Sequence, residues 1–300
     1  MKYKFDKQLK THPNLPFFKA IFPLANAAIA LLPKGIDPKS FVCERRSANG
    51  VKVHVIKPKC TTNGCLPCLF YLHGGGFGYK ESFVHYYAEQ IYAAAPCVVV
   101  SVDYDVLPKA KYPTAVNQTV DAYRYVTAHA DEFGIDVGRI VVGGDSAGGN
   151  LALELCRNLK VGADVLPVGM MLVYPVVDDR KDGASMLAFS DTPLWNSVNN
   201  AKMWRWYLDG QSYVSPVVTA DKYAYLRHAF VETEEYDCLH DQGAEMYEAM
   251  KANVADVTLL DNKGTFHGFD VNTNAEVVCR SFAARVNFLQ KCFCLKNKSE

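Results

Sequence analysis

The 300-residue sequence lacks an excess of charge of either sign and contains no long basic run. Thirty-two Lys and Arg residues balance thirty-two Asp and Glu residues, so the formal net charge is zero at pH 7. A neutral chain gives no electrostatic support for binding nucleic acid or an anionic membrane. We therefore expect a small-molecule partner and no nucleic-acid partner.

A long apolar run is missing as well. Residues 15–32 superficially resemble a signal peptide because lysines precede them, but Pro16, Lys19 and Pro23 interrupt the stretch. No uninterrupted span is long enough to cross a bilayer. The segment is predicted to be an amphipathic cover on a cytoplasmic protein without stable membrane association, with a secretory signal as the alternative.

The ten cysteines do not form a recognisable metal site. Cys60, Cys65 and Cys68 match part of a plant-type iron–sulfur spacing, but no fourth ligand lies in a comparable loop. Cys68 also opens an apolar run, where cysteine acts as a small buried hydrophobe. We expect reduced thiols, no metal and no organic cofactor.

Apolar, β-branched runs alternate with helix-forming stretches along most of the chain. The predicted strands are residues 41–46, 51–56, 68–72, 97–104, 140–142, 169–174, 229–231 and 257–260, and the clearest helices are 83–95 and 113–130. The first two strands are separated by Ala48-Asn49-Gly50, a hairpin signal. Alternation of this kind predicts an α/β fold with a mostly parallel sheet, in a single domain spanning residues 1–300.

Ser146 lies where the apolar run 140–142 meets a helix-forming run. Gly144 and Gly148 flank Ser146 two residues away on each side, and this G-x-S-x-G spacing permits a sharp strand-to-helix turn. The helix N-terminus favours negative charge, and the amide of Ala147 is placed to bind an oxyanion. The pattern predicts that Ser146 is a nucleophile.

A second motif, His73-Gly74-Gly75-Gly76, closes the apolar run 69–72. In hydrolases with a nucleophilic serine at a strand-to-helix turn, such a glycine loop supplies further oxyanion donors. His73 is predicted to shape this loop rather than to act as a base. The two motifs occur in the order that one catalytic machine requires.

A serine nucleophile needs an imidazole base, which in turn is oriented by a carboxylate. Of eight histidines, His267 alone follows the last predicted strand, and it lies in a loop that contains glycines. The acid is expected after a strand between Ser146 and His267, and Asp237 is the favoured candidate. Its competitors are Asp241, one helical turn further on, and the weaker candidates Asp178 and Asp179.

The motifs resemble those of the hormone-sensitive-lipase-like (bacterial family IV) esterases of the α/β-hydrolase superfamily. The resemblance spans residues 69–269 and rests on His73-Gly74-Gly75-Gly76, Gly144-Asp145-Ser146-Ala147-Gly148-Gly149-Asn150, Tyr236-Asp237-Cys238-Leu239-His240-Asp241 and His267-Gly268-Phe269. It implies the α/β-hydrolase fold and a helical cap built from residues 1–40 and 178–210. It also implies a triad of Ser146, Asp237 and His267, with oxyanion donors on Gly75, Gly76 and Ala147.

Residues 104–109 depart from that family. Where its members usually read Tyr-Arg-Leu-Ala-Pro-Glu, this sequence reads Tyr-Asp-Val-Leu-Pro-Lys, so Asp105 and Lys109 exchange the two charges. We expect the interaction to survive as a reversed ion pair. The proline that usually follows the family's acid is Cys238 here, and the aromatic residue after the glycines is Phe77.

The resemblance implies a serine carboxylesterase that cleaves short-to-medium acyl esters through an acyl-enzyme. The insertion at 178–210 is rich in aromatic residues and methionine, which suggests a lid over an apolar acyl pocket. An amidase, arylformamidase or lactonase on the same triad remains an alternative, and a homodimer is possible. A non-catalytic receptor of the same fold is disfavoured because His267 is present.

Overall fold

The structure is a computed structural model that describes residues 2–13, 17–59 and 64–294. Cys60 of the cysteine motif and the first two residues of the 15–32 stretch lie outside these ranges. So do residues 61–63 of the segment between the second and third predicted strands.

An eight-stranded sheet crosses the described part of the chain. Its strands are β1 (Phe41–Ala48), β2 (Val51–Pro58), β3 (Leu66–Leu72), β4 (Val98–Asp103), β5 (Ile135–Asp145), β6 (Gly169–Val173), β7 (His228–Glu234) and β8 (Asp256–Asn262). The spatial order is β1-β2-β4-β3-β5-β6-β7-β8. The hairpin β1–β2 and the pair β2–β4 are antiparallel, and the other neighbours are parallel. The predicted mostly parallel α/β sheet is confirmed.

Helices connect the strands. They are α1 (Phe22–Leu31), α2 (Phe83–Ala93), α3 (Thr114–Ala128), α4 (Ala130–Phe133), α5 (Ala147–Asn158), α6 (Ala184–Ala188), α7 (Ser197–Leu208), α8 (His240–Lys251) and α9 (Glu276–Phe293), with short 3-10 helices at Pro216–Tyr223 and Phe269–Val271. Two apolar cores pack on the sheet. Phe70, Val100 and Val142 belong to one core, while their neighbours Leu69 and Val141 belong to the other. Central strands are therefore buried on both faces, as continuous apolar runs require.

The N-terminal segment covers the loop that follows β3. The ring of Phe22 packs edge-on against Tyr79, with centroids 5.2 Å apart, and Phe17 packs against Trp195 at 5.0 Å. The predicted amphipathic character of this segment is nevertheless wrong. Nearly every side chain of α1 is apolar, so the helix has no polar face. Phe22 is its one buried residue, and the apolar Leu24 is 74% exposed.

None of the helices described is both long and apolar enough to cross a membrane.

Candidate active site

Ser146 occupies a sharp turn between β5 and α5. Its φ of 52° and ψ of −119° are unusual for a residue other than glycine, and such strain clusters at functional sites. The turn is fixed because the amide of Ser146 donates to the carbonyl of Val173 at 2.9 Å. A Cβ atom on Gly148 would lie only 1.8 Å from the carbonyl oxygen of Leu72. The glycine is therefore required for β3 and α5 to approach this closely.

Three side chains form a hydrogen-bonded chain at the carboxyl ends of the strands. Ser146 Oγ lies 2.8 Å from His267 Nε2, and His267 Nδ1 lies 2.6 Å from Asp237 Oδ2. All three residues are buried. Because a carboxylate only accepts hydrogen bonds, Nδ1 carries the imidazole proton and Nε2 is left to accept from Ser146. The structure thus brings together the three residues of the expected triad.

The competing acids have other partners. Asp241 lies in the first turn of α8, where its carboxylate accepts the amide of Ser185 at 2.8 Å. Asp178 is buried in an ion pair within its own loop, and Asp179 is exposed. Among the described residues, the carboxylate bonded to His267 is that of Asp237.

The glycine loop is tied to the residue that precedes the nucleophile. The carboxylate of Asp145 accepts the amide of Gly74 at 3.0 Å and the hydroxyl of Tyr71 at 2.8 Å. Gly75 has a φ of +109°, and a Cβ atom there would lie 2.7 Å from the carbonyl oxygen of Tyr79. The path of this loop therefore depends both on Asp145 and on glycine itself.

The expected oxyanion donors are the amides of Gly75, Gly76 and Ala147. Gly75 and Gly76 line the same cavity as Ser146 and His267, and no acceptor in the described residues is bonded to their amides. Ala147 is the first residue of α5, where an amide has no partner within the helix. These amides are consequently available to a ligand oxygen.

His73 shapes the loop, as the sequence predicts. Its Nδ1 donates to the carbonyl of Gly74 at 2.7 Å, and its ring stacks on Tyr104 with centroids 4.3 Å apart. Burial, reinforced by the nearby His85, lowers the pKa of His73 to about 4. The imidazole of His73 is therefore uncharged near neutral pH, and it contacts the loop rather than Ser146.

Sequence reasoning missed His85, which belongs to α2 and has no companion motif. Its Nε2 lies 3.6 Å from Asp145 Oδ2, and both residues line the cavity beside Ser146. Burial alone would lower the pKa of His85, but the charge of Asp145 and a hydrogen bond to it produce a net increase. Burial would likewise raise the pKa of Asp145, yet the charge of His85 produces a net decrease. The two groups hold each other in the charged state.

A cavity of about 180 Å³ opens beside Ser146 and His267. The imidazole of His267 lies between the rings of Tyr174 and Trp195, at centroid distances of 4.8 and 6.1 Å. The other lining residues are Gly75, Gly76, Tyr79, Ser82, Val84, His85, Asp145, Leu194, Gly268, Asp270 and Val271. Most of these residues lie in no motif, because it is the fold that brings their separate segments together at the cavity.

Comparisons with known proteins agree with this architecture. Residues 69–271 match the family described as having an alpha/beta hydrolase fold. The chain belongs to the α/β-hydrolase family. The esterase LipI of Mycobacterium tuberculosis is 30% identical over 218 residues, which cover 71% of this chain and 68% of that protein. The carboxylesterase NlhH of the same species is 32% identical over 68% of this chain and 66% of its own length.

A solved bacterial heroin esterase superposes on this hydrolase with a TM-score of 0.81 and 29% identity, covering 97% of this chain and 99% of that one. A thermostable esterase from Pseudomonas putida gives the same TM-score at 27% identity, covering 93% and 90% of the two chains. The alignments with LipI and NlhH, by contrast, span about two thirds of each relative. The resemblance to hormone-sensitive-lipase-like esterases and the predicted fold class are confirmed.

The insertion at 178–210 contributes to the cavity of the hydrolase through only two residues, Leu194 and Trp195. Its other large side chains mostly pack into the core, since Met203, Trp204 and Tyr207 are all buried. The insertion predicted as a lid thus supplies part of the cavity wall through Leu194 and Trp195, while most of its large side chains fill the core.

The reversed ion pair of the hydrolase is confirmed. Lys109 Nζ lies 2.9 Å from Asp105 Oδ2, and the side-chain amide of Gln118 donates to the same oxygen at 3.0 Å. Burial would raise the pKa of Asp105, but the hydrogen bonds from Lys109 and Gln118 produce a net decrease. The pair sits at the surface, with the Lys109 side chain 78% exposed.

The described cysteines are free thiols. Cys68 lies in β3 and is buried, whereas Cys65 is exposed. Within the described ranges, no group of three or more His, Cys, Asp or Glu side chains is arranged to hold a metal ion.

Proposed function

We propose that this hydrolase is a serine carboxylesterase that cleaves short-to-medium acyl esters through an acyl-enzyme intermediate. The single observation that carries the proposal is the hydrogen-bonded chain of Ser146, His267 and Asp237 beside the glycine loop, facing a cavity. The names of the relatives, esterase and carboxylesterase, support an ester substrate. The class of enzyme expected from the sequence, a carboxylic ester hydrolase, is thereby confirmed.

In the proposed first half-reaction, His267 takes the proton of Ser146 as Oγ attacks the ester carbonyl carbon. The carbonyl oxygen becomes an oxyanion and accepts hydrogen bonds from the amides of Gly75, Gly76 and Ala147. Asp237 stabilises the imidazolium and keeps its orientation. The tetrahedral intermediate collapses, the imidazolium protonates the leaving alcohol, and the acyl group remains on Ser146.

In the second half-reaction, water attacks the acyl carbon while His267 accepts its proton. The same amides hold the second oxyanion. Its collapse breaks the bond to Ser146 Oγ, which recovers the proton from His267, and the carboxylic acid leaves. Every proton in the two half-reactions passes through His267, which exchanges it with Ser146, the leaving alcohol or water.

The size of the cavity favours the short end of the acyl range. A volume of about 180 Å³ is well below the roughly 300–1,000 Å³ that accommodates drug-sized ligands. The rings of Trp195 and Tyr174 and the side chain of Leu194 form an apolar wall suited to a small alkyl chain. No observation favours an amide or lactone substrate over an ester.

The remaining expectations concern location and assembly. An ester substrate is supported by the relatives. A cytoplasmic location, the absence of nucleic-acid and stable membrane partners, and a possible homodimer stay predictions.

A p-nitrophenyl ester series from acetyl to long acyl chains tests the proposal. We expect turnover to peak at a short chain and to fall on the order of a millionfold in Ser146→Ala. Ser47→Ala, a change at an exposed serine of β1, is the matched control and should retain full activity. Near-normal activity of folded Ser146→Ala would refute the assignment of the nucleophile.

A further inference from the structure

A second cavity of about 280 Å³ lies apart from the active site. Residues of α1, β1, β2, β4 and α2 contribute to its wall, and none of its lining residues also lines the cavity beside Ser146. It therefore has its own chemistry. That chemistry is set by one buried histidine, by cations that outnumber the carboxylates on the wall, and by an apolar helix.

His54 supplies a buried polar atom without a partner. The residue is only 4% exposed, and its Nδ1 is hydrogen-bonded to the carboxylate of Glu81. Because that carboxylate accepts, Nδ1 carries a proton. The opposite ring nitrogen, Nε2, is fully buried and has no hydrogen-bond partner among the described residues. Buried polar atoms are rarely left unpaired, and each such exception calls for an explanation.

The wall of this cavity carries more positive than negative charge. Lys80 is paired with Asp103 at 2.5 Å, and Glu81 is paired with His54. Two further cations on the wall, Lys34 and Arg45, have no acidic partner within the described ranges. Lys34 Nζ lies 4.6 Å from the ring centroid of Tyr86, a contact that does not neutralise its charge.

Glu89 does not offset this excess. It is completely buried in α2, and burial, together with the charge of Glu81, raises its pKa well above the usual value. Burial and the charge of Glu81 thus both favour the uncharged form of its carboxyl group. The carboxylates that face the cavity are those of Glu81 and Asp103, and each is already paired, Glu81 with His54 and Asp103 with Lys80.

Part of the wall is apolar. Ile29, Ala30 and Leu32, from α1 and its C-terminal end, line the cavity together with the charged groups. The volume falls at the lower limit of known ligand pockets, so the ligand is small. A ligand that pairs with the cations and also packs on the apolar side chains has an anionic head and a short apolar tail.

We propose that this cavity is a binding site for a small carboxylate with a short alkyl chain. The carboxyl group forms a hydrogen bond with Nε2 of His54 and faces Lys34 and Arg45. The alkyl chain packs against Ile29 and Leu32 of the N-terminal segment. The site is separate from the catalytic centre, and binding at it needs no reaction at Ser146.

The site is physically connected to the oxyanion loop. The side chain of Asn26 donates to the carbonyl of Gly78 at 2.9 Å and accepts the amide of Lys80 at 2.8 Å. Asn26 and Lys80 line the carboxylate cavity, whereas Gly78 follows the glycines that face Ser146. The acid released by an esterase belongs to the same chemical class as the proposed ligand, and this link alone rests on the proposed function.

The test measures binding to Ser146→Ala protein, so that failure of the esterase proposal would not affect it. Calorimetric titration with sodium butyrate is compared with titrations with inorganic phosphate and 1-butanol. We expect saturable butyrate binding. Phosphate and butanol should bind at least tenfold more weakly, because phosphate lacks the alkyl chain and butanol lacks the anionic group. Equal binding of phosphate would overturn the proposed apolar contact.

Two further measurements locate the binding. The double variant Lys34→Gln/Arg45→Gln, made in the same background, should weaken butyrate binding at least tenfold, whereas Lys202→Gln at an unrelated surface position should not. Nitrogen-15 NMR of the histidine side chains should show butyrate shifting the Nε2 resonance of His54. Unchanged affinity in the folded double variant, or a shift confined to His267, would overturn the proposal.

Discussion

Replacing Asp237 by Asn tests how the orientation of His267 is set. Asp237 Oδ1 accepts the amide of Leu239 at 2.9 Å, while Oδ2 faces His267 Nδ1 at 2.6 Å. In Asp237→Asn, the amide of Leu239 still needs an acceptor, so the side-chain oxygen stays there. The new amino group is then directed at Nδ1, to which it can only donate.

That exchange reverses the imidazole tautomer. With Nδ1 forced to accept, the ring proton moves to Nε2, which can no longer take the proton of Ser146. We expect kcat to fall about ten-thousand-fold, the loss found when a triad aspartate of a serine protease is changed in this way. That factor corresponds to about 5.4 kcal/mol of transition-state stabilisation. Initial rates with p-nitrophenyl acetate measure it directly.

Asp241→Asn is the matched control because it makes the same chemical change in the competing acid. Its side-chain oxygen still accepts the amide of Ser185, while the favourable charge at the start of α8 and the pairing with His240 Nδ1 at 3.1 Å are lost. We expect kcat within about twofold of wild type and a loss of roughly 0.3–1 kcal/mol in the free energy of unfolding. A larger loss of kcat in Asp241→Asn than in Asp237→Asn would refute the assignment of the acid.

Two other substitutions probe the cavity wall and the reversed ion pair. Trp195→Ala should move the acyl-chain optimum to longer esters, with kcat/KM gaining roughly fourfold for each added methylene that becomes buried, at about 0.8 kcal/mol each. Trp206→Ala, which changes a tryptophan outside the cavity, should leave the optimum in place. For the pair, Asp105→Lys and Lys109→Asp should each destabilise the protein, and the double exchange should recover a coupling below about 1 kcal/mol in urea unfolding. Strictly additive effects would mean that the two side chains do not interact.

Local pattern predicted the elements whose signals lie within a few residues. Asn49-Gly50 marks the β1–β2 hairpin, and the strands that are buried on both faces were visible as apolar runs. β5 was predicted too short, as 140–142 instead of Ile135–Asp145. Asp136, Gly138 and Arg139 interrupt its apolar pattern, and they lie in an irregularity of the pairing with β3, between Ile135 opposite Leu66 and Ile140 opposite Cys68.

The candidate triad could be predicted because each member lies in a motif with its own spacing. The choice between Asp237 and Asp241 could not be made from the residues alone, since both follow the same strand and only their side-chain partners differ. His54 and His85 gave no signal at all. Each histidine acquires its environment from a carboxylate that is distant in sequence. His54 contacts Glu81, and His85 lies near Asp145.

The contacts of the N-terminal segment have a practical consequence for anyone who purifies this protein. Phe17 and Phe22 rest on the glycine loop, where a Cβ atom on Gly78 would lie 2.6 Å from the ring of Phe22. Proteolytic nicking between Phe17 and α1 would leave the sheet intact and a circular dichroism spectrum almost unchanged. The catalytic loop would nevertheless lose part of its cover. Batches should therefore be compared by intact mass before their specific activities are compared.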